Sequence, residues 1–260
     1  LNIGWAARVV STDKPVTIPG QFHIRVSRGV IDPVTVTALA IDDGADSVIF
    51  LSADIVVIRN GLLDMIRARV AERHAAIPVI KILMNATHTH AGPSTYGDAS
   101  DWRSGSSTVA AEEVPHDGVE IASADEYRAF FVDQAADAVV EAWRARAPGG
   151  VAFGYGYAVV AHSRRVVYFD DVSLRPGAVK DSRAGVNGHA RMYGETRDPM
   201  FSHYEAGADP FINLLYTFDA AGALTGAVVN VPCPSQNSEM ESRLSASFWH
   251  EARAAIRARH

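Results

Sequence analysis

Residues 47–53, Ser-Val-Ile-Phe-Leu-Ser-Ala, and residues 79–85, Val-Ile-Lys-Ile-Leu-Met-Asn, enclose the stretch that decides the fold. Between them Leu62, Leu63, Ile66 and Val70 recur at helical spacing, and Pro78 closes the run. The order is strand, helix, strand, and a short apolar run after such a crossover suits a buried strand. That order is the repeating unit of a layered α/β protein. Upstream, residues 35–41 alternate Thr35, Thr37 and Leu39 with Val36 and Ala38, and Asp42-Asp43-Gly44 supplies a turn, so residues 35–53 read as a hairpin.

Downstream, the spacing predicts a long helix over 124–147, with Tyr127, Phe130, Phe131, Ala135, Val139 and Trp143 as its core stripe. Ser123 or Asp125 can cap it, and Pro148-Gly149-Gly150 is read as its stop. Residues 151–160 alternate glycine with aromatics as a strand. Residues 211–218 and 224–231 form a second hairpin around Asp219-Ala220-Ala221-Gly222, and residues 245–259 form the last helix. Residues 92–118 read as a long surface loop and 181–209 as irregular polar chain. The expected fold class is α/β, a layered mixed β-sheet flanked by helices, in a single domain over residues 1–260.

Composition narrows the function. The 260 residues carry 24 Lys plus Arg against 30 Asp plus Glu, a net charge of −6, and no basic run, which argues against nucleic acid as a partner. A single cysteine, Cys233, excludes an intrachain disulfide. The apolar stretches fall well short of the roughly 20 residues that span a bilayer.

The segment Asn85-Ala86-Thr87-His88-Thr89-His90-Ala91-Gly92-Pro93 leaves an apolar strand and enters a turn. On an extended backbone the period of two puts His88 and His90 on one face. Two imidazoles there suit a metal ion, or one ligand beside one acid–base group. A chance His-x-His among ten histidines is the competing explanation. Cys233 lies between Pro232 and Pro234 after a strand; as a thiolate it can bind Zn²⁺ or act as a nucleophile, and as a thiol it is a small hydrophobe. Arg164 in Ser163-Arg164-Arg165 is a candidate oxyanion contact or a solvated basic turn. Ser202-His203-Tyr204-Glu205 has the composition of a ligand pair or of plain loop. Asp54, at the end of Ser52-Ala53-Asp54, can orient a histidine or cap a helix.

Taken together, Phe50-Leu51-Ser52-Ala53-Asp54, residues 85–93, Ser163-Arg164-Arg165, Asp209-Pro210 and the hairpin over 219–226 resemble the N-terminal catalytic region of the neutral/alkaline, non-lysosomal ceramidases. The resemblance implies a Zn²⁺-dependent amidase acting on the N-acyl bond of a ceramide-type lipid, with possible contact to a membrane surface and a secreted or periplasmic location. It implies that His88 is a zinc ligand, that His90 lies beside the reacting centre, that Arg164 stands near the reacting group, and that Cys233 occupies a position where the family has a zinc-ligand histidine. The family's Gly-Asp-x-Ser-Pro serine motif has no counterpart; Gly97-Asp98-Ala99-Ser100 is followed by Asp101 and comes too early. The remaining family ligands, a Glu and a Tyr, come from regions beyond residue 260, so the domain is expected to be incomplete at its C-terminus. A cysteine hydrolase built on Cys233, and a non-catalytic member of the family, are the alternatives.

Overall fold

The computed structural model describes residues 1–21, 25–59, 61–96, 118, 120–178 and 186–260. The chain divides into two compact units, residues 1–152, 216–227 and 234–260 in the first, residues 153–215 and 228–233 in the second.

The larger sheet is mixed and seven-stranded, and its residues 153–157, 211–215 and 228–230 fall in the second unit. Its strands are β1 (Asn2–Val9), β4 (Thr35–Asp42), β5 (Ser47–Ala53), β6 (Ile82–Ala86), β7 (Ala147–Tyr157), β12 (Phe211–Asp219) and β13 (Leu224–Asn230). The order across the sheet is β13-β12-β7-β1-β4-β5-β6. β4 and β5 form the expected antiparallel hairpin, Val36 opposite Ala53 through Asp42 opposite Ser47. β6 lies parallel to β5, Ile49 opposite Ile82 and Ala53 opposite Ala86, after the crossover helix α1 (Leu62–Arg73). This is the strand–helix–strand unit that the sequence predicts. Residues 79–81 make a 3₁₀ turn before β6 begins. A two-stranded ribbon pairs β2 (Thr17–Ile18) with β3 (Arg25–Val26).

Helix α2 (Ala124–Arg144) lies against β1, β4 and α1. Its start is the predicted one: Ser123 Oγ accepts the Glu126 amide while the Glu126 carboxylate takes the Ser123 amide, closing a capping box. Tyr127, Phe131, Ala135 and Val139 are buried, whereas Phe130 is exposed. The core they enter holds Ile18, Ile49, Leu51, Ile66 and Ile82.

The end of α2 differs from expectation. The helix stops at Arg144, and Pro148-Gly149-Gly150 already belong to β7, with Pro148 opposite Asn2. A Cβ on Gly149 would stand 2.2 Å from the Phe218 carbonyl oxygen of β12, so the glycine is there for close strand packing, not for helix termination. The β12–β13 turn is as read: Asp219 Oδ1 accepts the Ala221 and Ala223 amides, and Gly222 takes φ +84°. The last helix is shorter than predicted, α3 (Phe248–Arg257).

The second unit contains a four-stranded sheet in the order β11 (Phe201–Tyr204), β8 (Arg165–Tyr168), β10 (Ala190–Met192), β9 (Val186–Asn187). Strands therefore occur within the stretch 181–209 that reads as irregular. The buried residues Val166, Tyr168 and Val172 form its small core. The loop expected over 92–118 lies mostly outside the described residues. Among the described residues no helix is long and apolar enough to cross a membrane.

Candidate functional site

The site grows from the ends of the parallel strands β5 and β6. Asp54, the residue after β5, is fully buried. Its Oδ2 accepts the Thr35 amide at 2.9 Å and the Thr35 hydroxyl at 3.0 Å, and its Oδ1 accepts the Thr87 hydroxyl at 3.1 Å. The Arg253 guanidinium of α3 closes on both oxygens at 2.7 and 2.9 Å. A buried carboxylate is stable only when paired and hydrogen-bonded, and this one is. Asp54 thus orients neither a histidine nor a helix terminus. It fixes Thr87, the residue that delivers the chain to His88.

The backbone at His88 departs from the extended path. β6 ends at Ala86, and His88 adopts φ +60°, in the left-handed region. The two-residue period therefore does not explain the pairing of His88 with His90; the turn does. His88 Nδ1 lies 2.6 Å from the Val56 carbonyl oxygen, so it donates its proton there and leaves Nε2 bare. His90 Nε2 stands 3.1 Å from that nitrogen, with the rings edge to face at 4.8 Å. Two ligands of a tetrahedral zinc, each about 2.0–2.1 Å from the metal, lie roughly 3.3 Å apart. The 3.1 Å separation is close to that spacing, and it is equally the length of a hydrogen bond from a His90 N–H to the bare His88 Nε2. Among the described residues no group of three or more His, Cys, Asp or Glu gathers to complete a metal site.

His90 is held from all sides. Its amide donates to the Ser235 carbonyl at 3.1 Å, and its carbonyl accepts from Arg25. Thr89 between the histidines is fully buried and donates to the Ser245 carbonyl at 2.8 Å. Gly20, at φ +103°, covers the ring: a Cβ there would sit 2.9 Å from His90 Cγ. Glu239 Oε2 is 3.8 Å from His90 Nδ1, and Gln236 Nε2 is 3.5 Å from the same nitrogen. Arg25 and Glu239 are residues that sequence reasoning misses. Nothing in their local patterns marks them, because the residues they meet are far away in the chain.

The other candidates belong to the second unit. Cys233 donates its thiol to the Val160 carbonyl at 3.4 Å, and burial pushes the thiol pKa up, against the thiolate that a ligand or nucleophile needs. Arg164 is exposed; it donates to the Tyr193 hydroxyl at 3.0 Å, and its guanidinium stands 5.7 Å from that ring's centre. Tyr193 is itself in the left-handed region at φ +53°, its amide on the Arg164 carbonyl. In Ser202-His203-Tyr204-Glu205 the groups turn to separate partners. Glu205 pairs with Arg165 at 2.6 Å, Tyr204 stacks on His162, and His203 Nδ1 meets the Ser202 hydroxyl.

The architecture, a mixed sheet flanked by helices, is an α/β fold that two solved structures share. The chain is similar to neutral ceramidase from Pseudomonas aeruginosa, with a TM-score of 0.63 at 18% identity over 94% of this chain. A ceramidase complexed with C2 is similar with a TM-score of 0.62, again at 18% identity over 94% of the chain. The chain spans about a third of the length of each, 34% and 33%. The resemblance read from the sequence is therefore borne out at the level of the fold. No family model matches the sequence, and no curated protein matches it.

Proposed function

We propose that this chain carries part of the active site of a zinc-dependent hydrolase that cleaves the amide bond of a ceramide-type lipid. The observation that carries the reading is the histidine pair. Val56 holds the proton of His88 on Nδ1 and so aims a bare Nε2 at His90 Nε2, 3.1 Å away. The likeness in fold to ceramidases supports the substrate class.

His88 would hold the metal through Nε2, with the Val56 carbonyl fixing its ring and raising its basicity. A bound Zn²⁺ supplies Lewis-acid polarisation of the amide carbonyl and lowers the pKa of bound water to about 7. His90 moves the proton at its Nε2, in a position set by the Ser235 and Arg25 contacts of its backbone. Burial of His90 and Thr89 limits water at that end of the pair.

Metal analysis of the purified protein and of a His88→Ala variant tests the reading, together with hydrolysis of a short-chain N-acyl sphingosine. The expected result is bound Zn²⁺ in the wild type and its loss in the variant. Zinc content unchanged by the substitution would overturn the assignment.

A further inference from the structure

We propose that the second unit carries a self-association surface, and that its occupant is a second copy of this chain bound face to face across a two-fold axis. In β7 the rings of Phe153, Tyr155 and Tyr157 alternate with Gly154 and Gly156, so the three rings stand on one face of the strand. The neighbouring strand β12 adds Phe211 and, two residues on, Asn213. Phe153, Tyr155, Tyr157 and Phe211 are 83%, 69%, 68% and 42% exposed. Three of the rings lean on one another. Centre to centre, Phe211 lies 4.7 Å from Tyr157 and 6.2 Å from Tyr155, and the two tyrosines are 6.1 Å apart. These contacts restrict the rings before any partner arrives, so little side-chain freedom is left to lose on binding.

Size and charge select a second copy as the occupant. An aromatic side chain covers about 200 Å², so at these exposures the four rings offer roughly 500 Å² in each copy. Two such faces remove about 1,000 Å² from water, the lower bound for a specific interface. That area corresponds to a weak, reversible dimer. Residues 153–163 and 210–218 contain no Asp, Glu, Lys or Arg. A two-fold axis sets a patch against its own copy, so a net charge on it would meet the same charge. A patch without charge removes that repulsion.

The polar atoms of the face fit the same occupant. A tyrosine hydroxyl taken out of water needs a hydrogen-bond partner. Asn213 is exposed on the Phe211 side of β12, and its amide both donates and accepts. A second copy therefore brings to the Tyr155 and Tyr157 hydroxyls the groups they lack on their own. Apposed sheet faces interdigitate their side chains at a spacing of about 10 Å, and a ring at every second residue of β7, with glycine between, suits that packing.

Sedimentation equilibrium of the whole chain, from about 1 µM to about 200 µM, tests the proposal. The expected result is one copy at the low end, where unfolding is measured, and two at the high end, with a dissociation constant of roughly tens of micromolar. That constant should not change between about 0.1 M and about 0.5 M NaCl, because no charge is paired. Phe153→Ser and Tyr157→Ser should each weaken association about tenfold or more. Phe169→Ser removes an equally exposed ring that follows β8, in the other sheet, and should leave association unchanged. A chain that stays single at the high concentration overturns the proposal, and flotation of that single chain with phosphatidylcholine vesicles would give the face to a lipid surface instead. Growth beyond two copies, or equal weakening by Phe169→Ser and Phe153→Ser, overturns it as well. The substituted rings are mostly in water in the single chain, so the variants keep the fold, which circular dichroism checks. Should Tyr157→Ser lose it, Phe153→Ser decides.

Discussion

The two units of the chain are held together by different physics. The first buries a continuous apolar core, with Phe131, Ile18, Ile49, Leu51, Ile66 and Ile82 each at 0% exposure. Burying side chains of this size contributes about 1.5–3 kcal/mol apiece. Among the described residues the second gathers a cluster of three buried residues, Val166, Tyr168 and Val172, and its Phe153, Tyr155, Tyr157 and Phe169 stand largely in water. Its fixed points are ionic. Arg175 pairs with both oxygens of Asp170 at 2.7 Å and with Asp198, and its guanidinium stands 4.9 Å from the centre of the Tyr168 ring. The histidine pair, with its demand for sub-ångström positioning, sits in the unit with the deep core. The exposed Arg164–Tyr193 contact sits in the unit without one.

This contrast can be broken by three measurements. Phe131→Ala should have the largest effect, destabilising the first unit by about 3–5 kcal/mol in urea unfolding, because it opens a cavity in packed core. A loss below about 1 kcal/mol would show that the core does not carry the unit. Arg175→Leu should act less strongly and only away from acid. The hydrogen bonds from Arg175 hold the Asp170 and Asp198 carboxyls below the usual carboxylate range. A carboxyl whose pKa is depressed on folding stabilises fully above its unfolded pKa of about 3.9, and that stabilisation disappears as pH falls through the folded value. The gap in melting temperature between wild type and Arg175→Leu should therefore be open at pH 6 and close progressively below about pH 4. A gap that stays constant to low pH would remove the ionic account of the second unit. The smallest effect belongs to Phe153→Ser. The ring is 83% exposed, so stability should change by no more than about 0.5 kcal/mol in the same unfolding assay.

What the sequence makes legible follows the same division. The β4–β5 hairpin, α1, β6 and α2 are written in local periodicity, because each buries one face in a single core. β1 escapes such a reading. Its residues, Asn-Ile-Gly-Trp-Ala-Ala-Arg-Val, do not alternate, and only Ile3 and Gly4 are buried, although it lies between β4 and β7. The helix stop misread at Pro148-Gly149-Gly150 has the same root, since the need for a glycine comes from Phe218, about 70 residues away. At the site, the His88–His90 pair is legible as composition and not as geometry. The left-handed turn at His88 is set by contacts with Val56 and Asp54-bound Thr87 that no local pattern encodes. Arg25, Gln236 and Glu239 meet His90 only after the chain has folded.

The place of β1 in the sheet has a consequence for how the chain comes off the ribosome. One flank of β1 meets β4, available within a few dozen residues. The other side depends on β7 and then on β12, and the Trp5 indole donates to Thr217 across 212 residues of sequence. Contacts of such separation form late, and until then a strand edge stands open. During synthesis the half-made sheet is therefore a template for wrong strands as much as for the right one. With the other three tryptophans replaced, Trp5 fluorescence times the moment the sheet closes.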